Sequence, residues 1–320
     1  IKVVPQGTVI MSFKLSIGKT AITSEDMYTN EAIMAFIDNG KFAVDTDYLY
    51  HLCCGTNWTA GTNKAVMGLT LNKATLLEKE IPLPDINEQH EIATKLDKID
   101  AIIAERQQQL ELIDQLVKSR FIELFGDYNL THPQDSWVSI KEIGTVVGGA
   151  TPKTDHDEYW GGSYRWITPA ELDADSGYIY DSVRKLTKAG VESCSLQEMP
   201  IGTVILSSRA PIGKVAIAGN TFYCNQGFKN IICKEGITPR YLYTVLLLNV
   251  EYLNSLGRGA TFREISKGIV ENIRIPVPPI ELQQQFTAFV EQTDKSKYYS
   301  SLSFRYCQAA ENAYRQEWIT

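Results

Sequence analysis

One unbroken helical pattern, from Asn87 to Phe125, constrains this chain more than any other stretch. It contains neither proline nor glycine. It follows Ile81-Pro82-Leu83-Pro84, which stops whatever precedes it, and it ends at Gly126-Asp127, a usual helix terminus. We therefore predict a single helix about 58 Å long at 1.5 Å per residue.

Apolar residues recur along this helix in alternating steps of four and three. The stripe is typical of a coiled-coil seam, and its members are Ile92, Leu96, Ile99, Ile103, Arg106, Leu110, Ile113, Val117, Arg120 and Leu124. Two interpretations of the two arginines are open. Either they fix the register of the helices or pair with a partner subunit, or their aliphatic stems pack in the seam while their charged heads reach water. A helix this long cannot bury its seam alone, so it needs a partner helix.

The chain supplies a partner near its end. The segment Ile275-Pro276-Val277-Pro278-Pro279-Ile280 repeats the sequence that precedes the first helix, and we predict a second helix from about Glu281 to Arg315. Its seam is poorer. The positions that fit are Phe286, Val290, Phe304 and Tyr314, and those that do not are Thr293, Lys297, Ser300 and Glu311.

The repeat extends beyond the helices, at a nearly constant offset along the chain. The matched pairs are Pro5–Ile10 with Pro200–Ile205, Ile17–Ile22 with Ile212–Ile217, Tyr28–Asn30 with Tyr223–Asn225, and Leu71–Lys73 with Ile265–Lys267. The first copy has no counterpart of about 137–195, so we expect an incomplete first module in a shortened or rearranged chain. An unpaired sheet edge there leaves self-association open.

The predicted fold class is therefore α+β, with two repeated α/β modules separated by two long helices that form an antiparallel coiled coil. The expected boundaries are a partial module over 1–84, the first helix over 85–127, a complete module over 128–276 and the second helix over 277–320. Within the modules, we expect strands at Thr8–Met11, Lys19–Ile22 and Tyr164–Ile167, a helix at Thr238–Asn254 and a helix cap at Ser266.

Composition limits the functional classes. We find no apolar run long enough to cross a membrane and no secretory leader at Ile1. The six cysteines show no CxxC or metal-like spacing and the four histidines form no cluster, so we expect reduced thiols, no metal site and a cytoplasmic location. The net charge of −7 argues weakly against nucleic-acid binding, but residues 137–276 hold 15 Lys/Arg against 14 Asp/Glu.

Several motifs together resemble the specificity subunit of type I restriction-modification systems. They are the two Pro-x-Pro segments before Glu/Gln-rich helix starts, the module opening at Gly148-Gly149-Ala150-Thr151-Pro152-Lys153, and the helix ending Phe121–Gly126. The double glycine is not a phosphate-binding P-loop, because GxxxxGK[ST] is absent. The resemblance covers essentially the whole chain, and the departure from the family pattern is that the front half of the first module is missing.

The resemblance implies a function without catalysis in this chain. Each module would read one half of a bipartite site on double-stranded DNA. The helices would dock methyltransferase subunits, two being expected, and these would carry S-adenosylmethionine and the adenine-methylating chemistry. A restriction subunit that translocates DNA would join them. We expect no catalytic residue, metal or cofactor in the chain itself.

Base reading needs donors that reach base edges, and phosphate contacts need cations. The candidates in the complete module are Thr151, Lys153, Arg209, Lys214, Lys229, Arg258 and Arg263. Each is as readily a solvated surface residue, but the loop Gly257–Arg263 combines two arginines with glycines that admit close backbone approach. Lys19 is the repeat counterpart of Lys214, so the pair serves either a shared structural role or a phosphate contact.

Two rival classes remain. A methyltransferase fragment would be expected to show Asn-Pro-Pro-Tyr/Phe for a flipped base, whereas the chain has Val277-Pro278-Pro279-Ile280. A coiled-coil scaffold with two protein-binding modules is mildly favoured by the acidic net charge, and salt-dependent DNA binding separates it from a DNA reader.

Overall fold

The computed structural model describes residues 2–14, 16–58, 76–172, 177–194, 196–259 and 263–319. The chain divides into two compact units, one made of residues 1–112 and 297–320, the other of residues 113–296. Each long helix contributes one part to each unit. The two units are defined by contacts within the fold and do not test the boundaries of the four consecutive segments expected from the sequence. Those boundaries stay a prediction. The predicted match at Leu71–Lys73 lies outside the described residues.

In its described residues the first unit contains a three-stranded antiparallel sheet and a short helix. Its elements are β1 (Val9–Ser12), β2 (Thr20–Ile22), β3 (Ile33–Phe36) and α1 (Thr46–Gly55). The strand order is β2-β1-β3. The first long helix, α2 (Ile86–Phe125), begins in this unit. Its first turns pack with α1 in a core of Tyr48, Leu52, Ile92 and Leu96, against which Tyr314 and Trp318 lie.

The second unit is larger and holds a five-stranded sheet, a separate three-stranded sheet and a two-stranded sheet. Its strands are β4 (Val138–Ser139), β5 (Gly144–Gly148), β6 (Trp160–Ile167), β7 (Tyr178–Ile179), β8 (Arg184–Leu186), β9 (Val204–Leu206), β10 (Val215–Ala218), β11 (Tyr223–Cys224), β12 (Lys229–Cys233) and β13 (Arg274–Ile275). Its helices are α3 (Ile140–Ile143), α4 (Lys188–Glu192), α5 (Pro239–Leu248), α6 (Val250–Leu256) and α7 (Lys267–Glu271). The second long helix, α8 (Ile280–Ile319), begins here.

The sheets of the two units share one hydrogen-bonding register. In the first unit Val9 pairs with Ile22 on one side and with Phe36 on the other. In the second unit Val204, the repeat counterpart of Val9, pairs with Ile217 and Ile231, which are the counterparts of those two partners. Gly18 and Gly213 adopt the same left-handed φ, 87° and 89°. The sequence repeat is therefore a repeat of backbone geometry.

The five-stranded sheet adds two strands to the shared three. Its order is β5-β12-β9-β10-β7, in which β5 lies outside β12 and β7 lies outside β10. Both added strands come from the segment for which the first copy has no counterpart. The core beneath the sheet includes Val204, Leu206, Ile217, Ile231 and, from α5, Tyr241.

The seam predicted on α2 is the least exposed stripe of that helix. Ile92 and Leu96 are buried, and the other eight members are half-buried, whereas the off-seam Ile102 and Leu112 are 43% and 53% exposed. Arg106 Nη1 donates to Gln109 Oε1 at 2.8 Å, and Arg120 Nη1 donates to Glu123 at 2.7 Å. Both partners lie on α2 itself, which favours the interpretation that the arginine stems pack while the heads stay at the surface.

Polar residues belong to the covered stripe of α8, contrary to our expectation. Thr293 and Ser300 are 8% and 9% exposed. Lys297 and Glu311 are half-buried on the same stripe. Thr293 Oγ1 donates to the Phe289 carbonyl at 2.9 Å, so its hydroxyl is satisfied within the helix. A hydroxyl that is hydrogen-bonded in this way tolerates burial. The spacing of the stripe therefore predicted which α8 residues are covered better than their polarity did.

Two local expectations need adjustment, and a third is confirmed. The helix expected over 238–254 is two helices, α5 and α6, because the backbone leaves helical geometry at Asn249, between them. The strand ending at Ile167 begins at Trp160, earlier than the expected Tyr164. The Ser266 cap is confirmed, since its hydroxyl accepts from the Ile269 N–H at the start of α7.

Candidate nucleic-acid interface

The turn between β9 and β10 presents two of the predicted cations. Ser207 Oγ donates to the Pro211 carbonyl at 2.7 Å and accepts from the Lys214 N–H at 2.9 Å. The Ala210–Pro211 peptide is cis. These bonds close the turn on itself, and it carries Arg209 and Lys214 on its two arms.

Glu264 brings two of the candidates, Arg209 and Lys229, together in a triad. Its carboxylate accepts from Arg209 Nε at 3.0 Å and from Lys229 Nζ at 3.1 Å. Burial alone would raise the pKa of this carboxyl, but the bonds from Lys229 and Arg209 outweigh burial and hold the pKa below its ordinary value. The triad carries one net positive charge, so the two cations are half neutralised. No sequence pattern indicated this pairing, because the partners are 35 and 55 residues apart.

Backbone hydrogen bonds close the loop Gly257–Arg263, which carries two of the candidate arginines. Arg258 and Glu264 exchange both N–H···O bonds, at 3.1 and 3.0 Å. Residues 260–262 of this loop lie outside the described residues. The side chains of Arg258 and Arg263 are exposed. The loop therefore lies beside the triad, with its two arginines directed to the surface.

A surface pocket of about 360 Å³ lies next to the turn. Its lining includes Arg209, Lys214 and Asn225 together with the backbone around Pro169. Lys214 Nζ donates to the carbonyls of Pro169 and Leu172 at 3.2 and 3.1 Å. Of the two roles left open for this lysine, the second unit therefore shows a structural one.

The remaining two candidates lie on the Gly-Gly-Ala-Thr-Pro loop. Thr151 Oγ1 donates to Gln226 Oε1 at 2.6 Å, and Gln226 neighbours the pocket residue Asn225. The carbonyl of Lys153 accepts from Trp160 Nε1 at 3.2 Å. A Cβ at Gly149 would lie 2.1 Å from the Cys224 carbonyl, so only glycine lets this loop pack on β11.

One cationic cluster was missed by the sequence reasoning. The Arg184 guanidinium lies 3.5 Å from the centroid of the Trp160 ring, and Trp166 packs edge-on against Trp160 at 5.1 Å. Nearby, Asp181 pairs with Arg165 and Lys185 at 3.1 and 3.2 Å. The Tyr159-Trp160-Gly161-Gly162 turn was the available signal, but it did not show that β8 would place an arginine on the indole.

The described residues contain no group of three or more His, Cys, Asp or Glu side chains able to hold a metal ion. Burial raises the pKa of the Cys53, Cys224 and Cys233 thiols to about 12, so these sulfurs stay protonated. Among the helices of the described residues, none is long and apolar enough to span a membrane.

Comparison with known proteins assigns this arrangement to a family. The family model for the type I restriction modification DNA specificity domain matches residues 2–113 and, a second time, residues 135–298. The MjaIX specificity subunit of Methanocaldococcus jannaschii is 42% identical over 185 residues, which are 56% of this chain and 43% of that protein. The EcoR124I/EcoR124II specificity subunit of Escherichia coli is 27% identical over 233 residues, 67% of this chain and 55% of that protein. The chain thus spans about half the length of these curated relatives.

Solved structures show the same fold. A chain from a study of complex assembly and conformational transition in the type I R-M system has a TM-score of 0.63 at 19% identity, covering 99% of this chain and 83% of that one. The S subunit from M. genitalium has a TM-score of 0.61 at 14% identity, covering 97% and 82%. Because the family model matches most of the sequence, the chain belongs to the type I restriction modification DNA specificity domain family.

Proposed function

We propose that the chain is a DNA-reading specificity subunit that recognises a bipartite site and carries no chemistry itself. The observation that supports this most is the second match of a DNA specificity domain model to the same chain, at 2–113 and 135–298. Two copies of one module, with one sheet register, are what a reader of two half-sites requires. The segments 1–84, 85–127, 128–276 and 277–320 would be partial module, helix, complete module and helix.

The proposed DNA-contacting face of the complete module is the surface around the Arg209–Lys229–Glu264 triad. Thr151, Lys214 and the two loop arginines lie beside or near it, through the contacts described above. Exposed guanidinium groups are suited to guanine edges, whereas ammonium groups suit phosphates. In this proposal Arg258 and Arg263 read bases, and Arg209, Lys214 and Lys229 hold the backbone.

The antiparallel coiled coil is proposed from contacts inside each unit. In the first unit the start of α2 packs with the end of α8, through Ile92 and Leu96 against Tyr314 and Trp318. In the second unit the end of α2 packs with the start of α8, where the Phe121 and Phe286 rings are 5.4 Å apart. Start-to-end contacts of this kind in each unit support helices that run in opposite directions.

Docking of methyltransferase subunits is proposed on the outer faces of these helices. Three tyrosines on α8, Tyr298, Tyr299 and Tyr306, are 65–69% exposed, and Leu302 between them is 37% exposed. Tyr299, Leu302 and Tyr306 follow one another at steps of three and four positions, which places them on one helical face, and Tyr298 adjoins Tyr299. On α2, Ile102 and Leu112 are likewise exposed. Aromatic residues on an exposed helix face are typical of protein interfaces.

The test is DNA binding by the full chain, alone and with the modification subunit encoded beside it. We expect weak, salt-dependent binding by the chain alone, tighter binding by the assembly, and methyl transfer only by the assembly. Salt-independent binding, or no binding by either sample, would favour the scaffold. Methyl transfer by the highly purified chain, lost on mutation of the chain, would favour the methyltransferase fragment.

Base reading is tested with Arg258→Ala and Arg263→Ala in the assembly. A base-reading arginine contributes about 1–3 kcal/mol of discrimination at one position, whereas a phosphate contact changes affinity for all sequences alike. We expect relaxed preference at one position of one half-site for at least one variant. If neither variant alters affinity, preference or salt dependence, the loop does not touch DNA, and Thr151 and Lys153 become the next residues to test.

A further inference from the structure

A buried glutamine ties each long helix to its own module, and the tie is the same in both units. In the first unit Gln89 Oε1 accepts from the Asp45 N–H at 2.9 Å. Gln89 Nε2 donates to the carbonyls of Ala43 and Pro84 at 3.1 and 2.8 Å. One side chain therefore joins the first turn of α2, the loop before α1 and the Pro-x-Pro segment.

The second unit repeats this arrangement with Gln283, the repeat counterpart of Gln89. Its Oε1 accepts from the Thr238 N–H at 2.8 Å. Its Nε2 donates to the carbonyls of Gly236 and Pro278 at 3.0 and 2.8 Å. Gln89 and Gln283 are 1% and 0% exposed, so these bonds form away from water. Each side chain uses its carbonyl oxygen and both amide protons.

A buried tyrosine completes each tie. Tyr48 Oη donates to the Pro82 carbonyl at 2.9 Å, and Tyr241 Oη donates to the Pro276 carbonyl at 3.0 Å. Both tyrosines are fully buried. The two prolines of each Pro-x-Pro segment thus offer two carbonyls to two buried donors. This gives the Pro-x-Pro repeat a physical role, since it presents two closely spaced acceptors in an extended segment. We call each set of these bonds a Gln–Tyr clamp.

The clamps restrict how each long helix can move against its module. Packing alone permits a helix to rotate or slide by fractions of an ångström against a module, but directional bonds from the helix to three backbone groups in two other segments do not. The chain also has the same donors and acceptors in two modules whose sheets differ by two strands. A constraint present in both copies points to a geometric requirement shared by both copies.

We infer that the Gln–Tyr clamps are positioning elements, which fix the orientation of each module on its helix and thereby fix the number of unread base pairs between the two half-sites. This inference rests on the proposed function. The glutamines and tyrosines touch no DNA in this account and act only through the angle at which a module leaves its helix. Their loss therefore alters the spacing that the complex accepts, while the half-site sequences stay the same.

The test maps methylated adenines in cells that carry the full chain and its modification subunit. The variants are Tyr48→Phe and Tyr241→Phe, which remove one hydroxyl each, and Gln89→Leu and Gln283→Leu, which remove three bonds each. We expect methylation at sites with a spacer one base pair longer or shorter to rise about tenfold, equivalent to ~1.4 kcal/mol. Gln284→Leu and Tyr28→Phe, at exposed positions of the two units, serve as matched controls and leave the spacer unchanged.

The outcomes separate the two proposals. If the unmodified chain directs no sequence-specific methylation, the proposed function fails and this inference fails with it. If the unmodified chain directs a bipartite site and every folded clamp variant keeps a single spacer, the positioning role is wrong while the function stands. The tyrosine variants keep the test decisive should the leucine variants fail to fold, because phenylalanine fills the same volume.

Discussion

The two units have the same backbone pattern, but they differ in the side chains that pack the end of a long helix against the module. We call this contact the joint of each unit, and it involves the end of α2 in the second unit and the end of α8 in the first. In the second unit that joint is aromatic, since Phe121 lies 5.7 Å from the Tyr241 ring and 5.4 Å from the Phe286 ring. In the first unit Arg315 stands at the repeat position equivalent to Phe121, and the joint is ionic. Arg315 bonds to Glu311 at 2.7 Å, to the His51 carbonyl at 3.0 Å and to Asp100 at 3.5 Å.

The comparison shows which parts of the module are fixed and which are free. The strand register and the Gln–Tyr clamps are the same in both units, because backbone groups take part and any change leaves buried donors or acceptors unpaired. At the joints, a phenylalanine has been exchanged for an arginine. Around that exchange, the first unit carries the buried His51, whose Nε2 lies 2.8 Å from Asp97 Oδ1. The joints therefore differ in side-chain chemistry while the backbone frame around them is kept.

The aromatic joint should be the more costly to break. Phe121→Ala removes a ring that is 1% exposed, and such a cavity costs about 3–5 kcal/mol. Thermal or denaturant unfolding of the full chain measures this loss. Leu116→Ala, on the same helix at a site 52% exposed, is the control and should cost under about 1 kcal/mol. Equal losses for the two variants would show that the aromatic cluster does not hold α2 to this unit.

The ionic joint should cost less and depend on pH. Arg315→Met removes charge-assisted hydrogen bonds, a loss of about 1.5–3 kcal/mol that partial exposure of Asp100 reduces. Burial raises the pKa of the Asp100 carboxyl, and its neighbour Arg315 lowers it. Without Arg315 the charged carboxylate is disfavoured in the folded state, so the stability deficit is present above the folded pKa and shrinks as pH falls through it. Unfolding at pH 7 and pH 4 measures this difference, and a deficit that grows at pH 4 would contradict it.

The seam between the joints should be weaker still. Leu110 is half-buried, so Leu110→Asp places a charge where only part of the side chain leaves water. We expect a loss of about 1–2 kcal/mol, against about 0.5 kcal/mol or less for Gln108→Asp at a nearby exposed position. Differential scanning calorimetry of the two variants measures this difference. Identical unfolding midpoints for the two variants would show that Leu110 does not lie in the seam.

The smallest expected effect concerns the charge triad. Glu264→Gln frees Arg209 and Lys229, so non-specific DNA affinity of the assembly should rise and its salt dependence should steepen by about one phosphate contact. The repeat places Thr70 at the equivalent position of the first module, which therefore has no such carboxylate in its sequence. Glu235→Gln removes the same charge from an exposed site and should change neither property. Equal effects of the two variants would show that DNA affinity follows the net charge of the chain and not the pairing within the triad.

The elements that were predictable from the sequence are those with local signals. Proline-bounded heptads predicted α2 to within one residue at its start, and the Pro-x-Pro repeat predicted the start of α8. The break at Asn249 escaped because no proline or glycine separates α5 from α6 in the sequence. The buried Thr293 and Ser300 escaped because polar residues were counted against a seam.

The candidate interface was predictable only as a set of residue types. Arg209 and Lys229 were chosen for their charge, but Glu264, which neutralises them in part, comes from a distant segment that only the fold brings near. Gln89 and Gln283 were visible as a matched pair in the repeat. Their buried bonds to three backbone groups were not visible, because no sequence pattern shows which carbonyls lack partners.

The central claim is that this chain selects a bipartite DNA site through two copies of one module. The most direct measurement is a map of methylated adenines in a host that carries the full chain and its modification subunit, compared with the same host lacking the chain. The account predicts one motif made of two short half-sites at a fixed spacing, present only with the chain. A continuous motif, or a map identical with and without the chain, would contradict it.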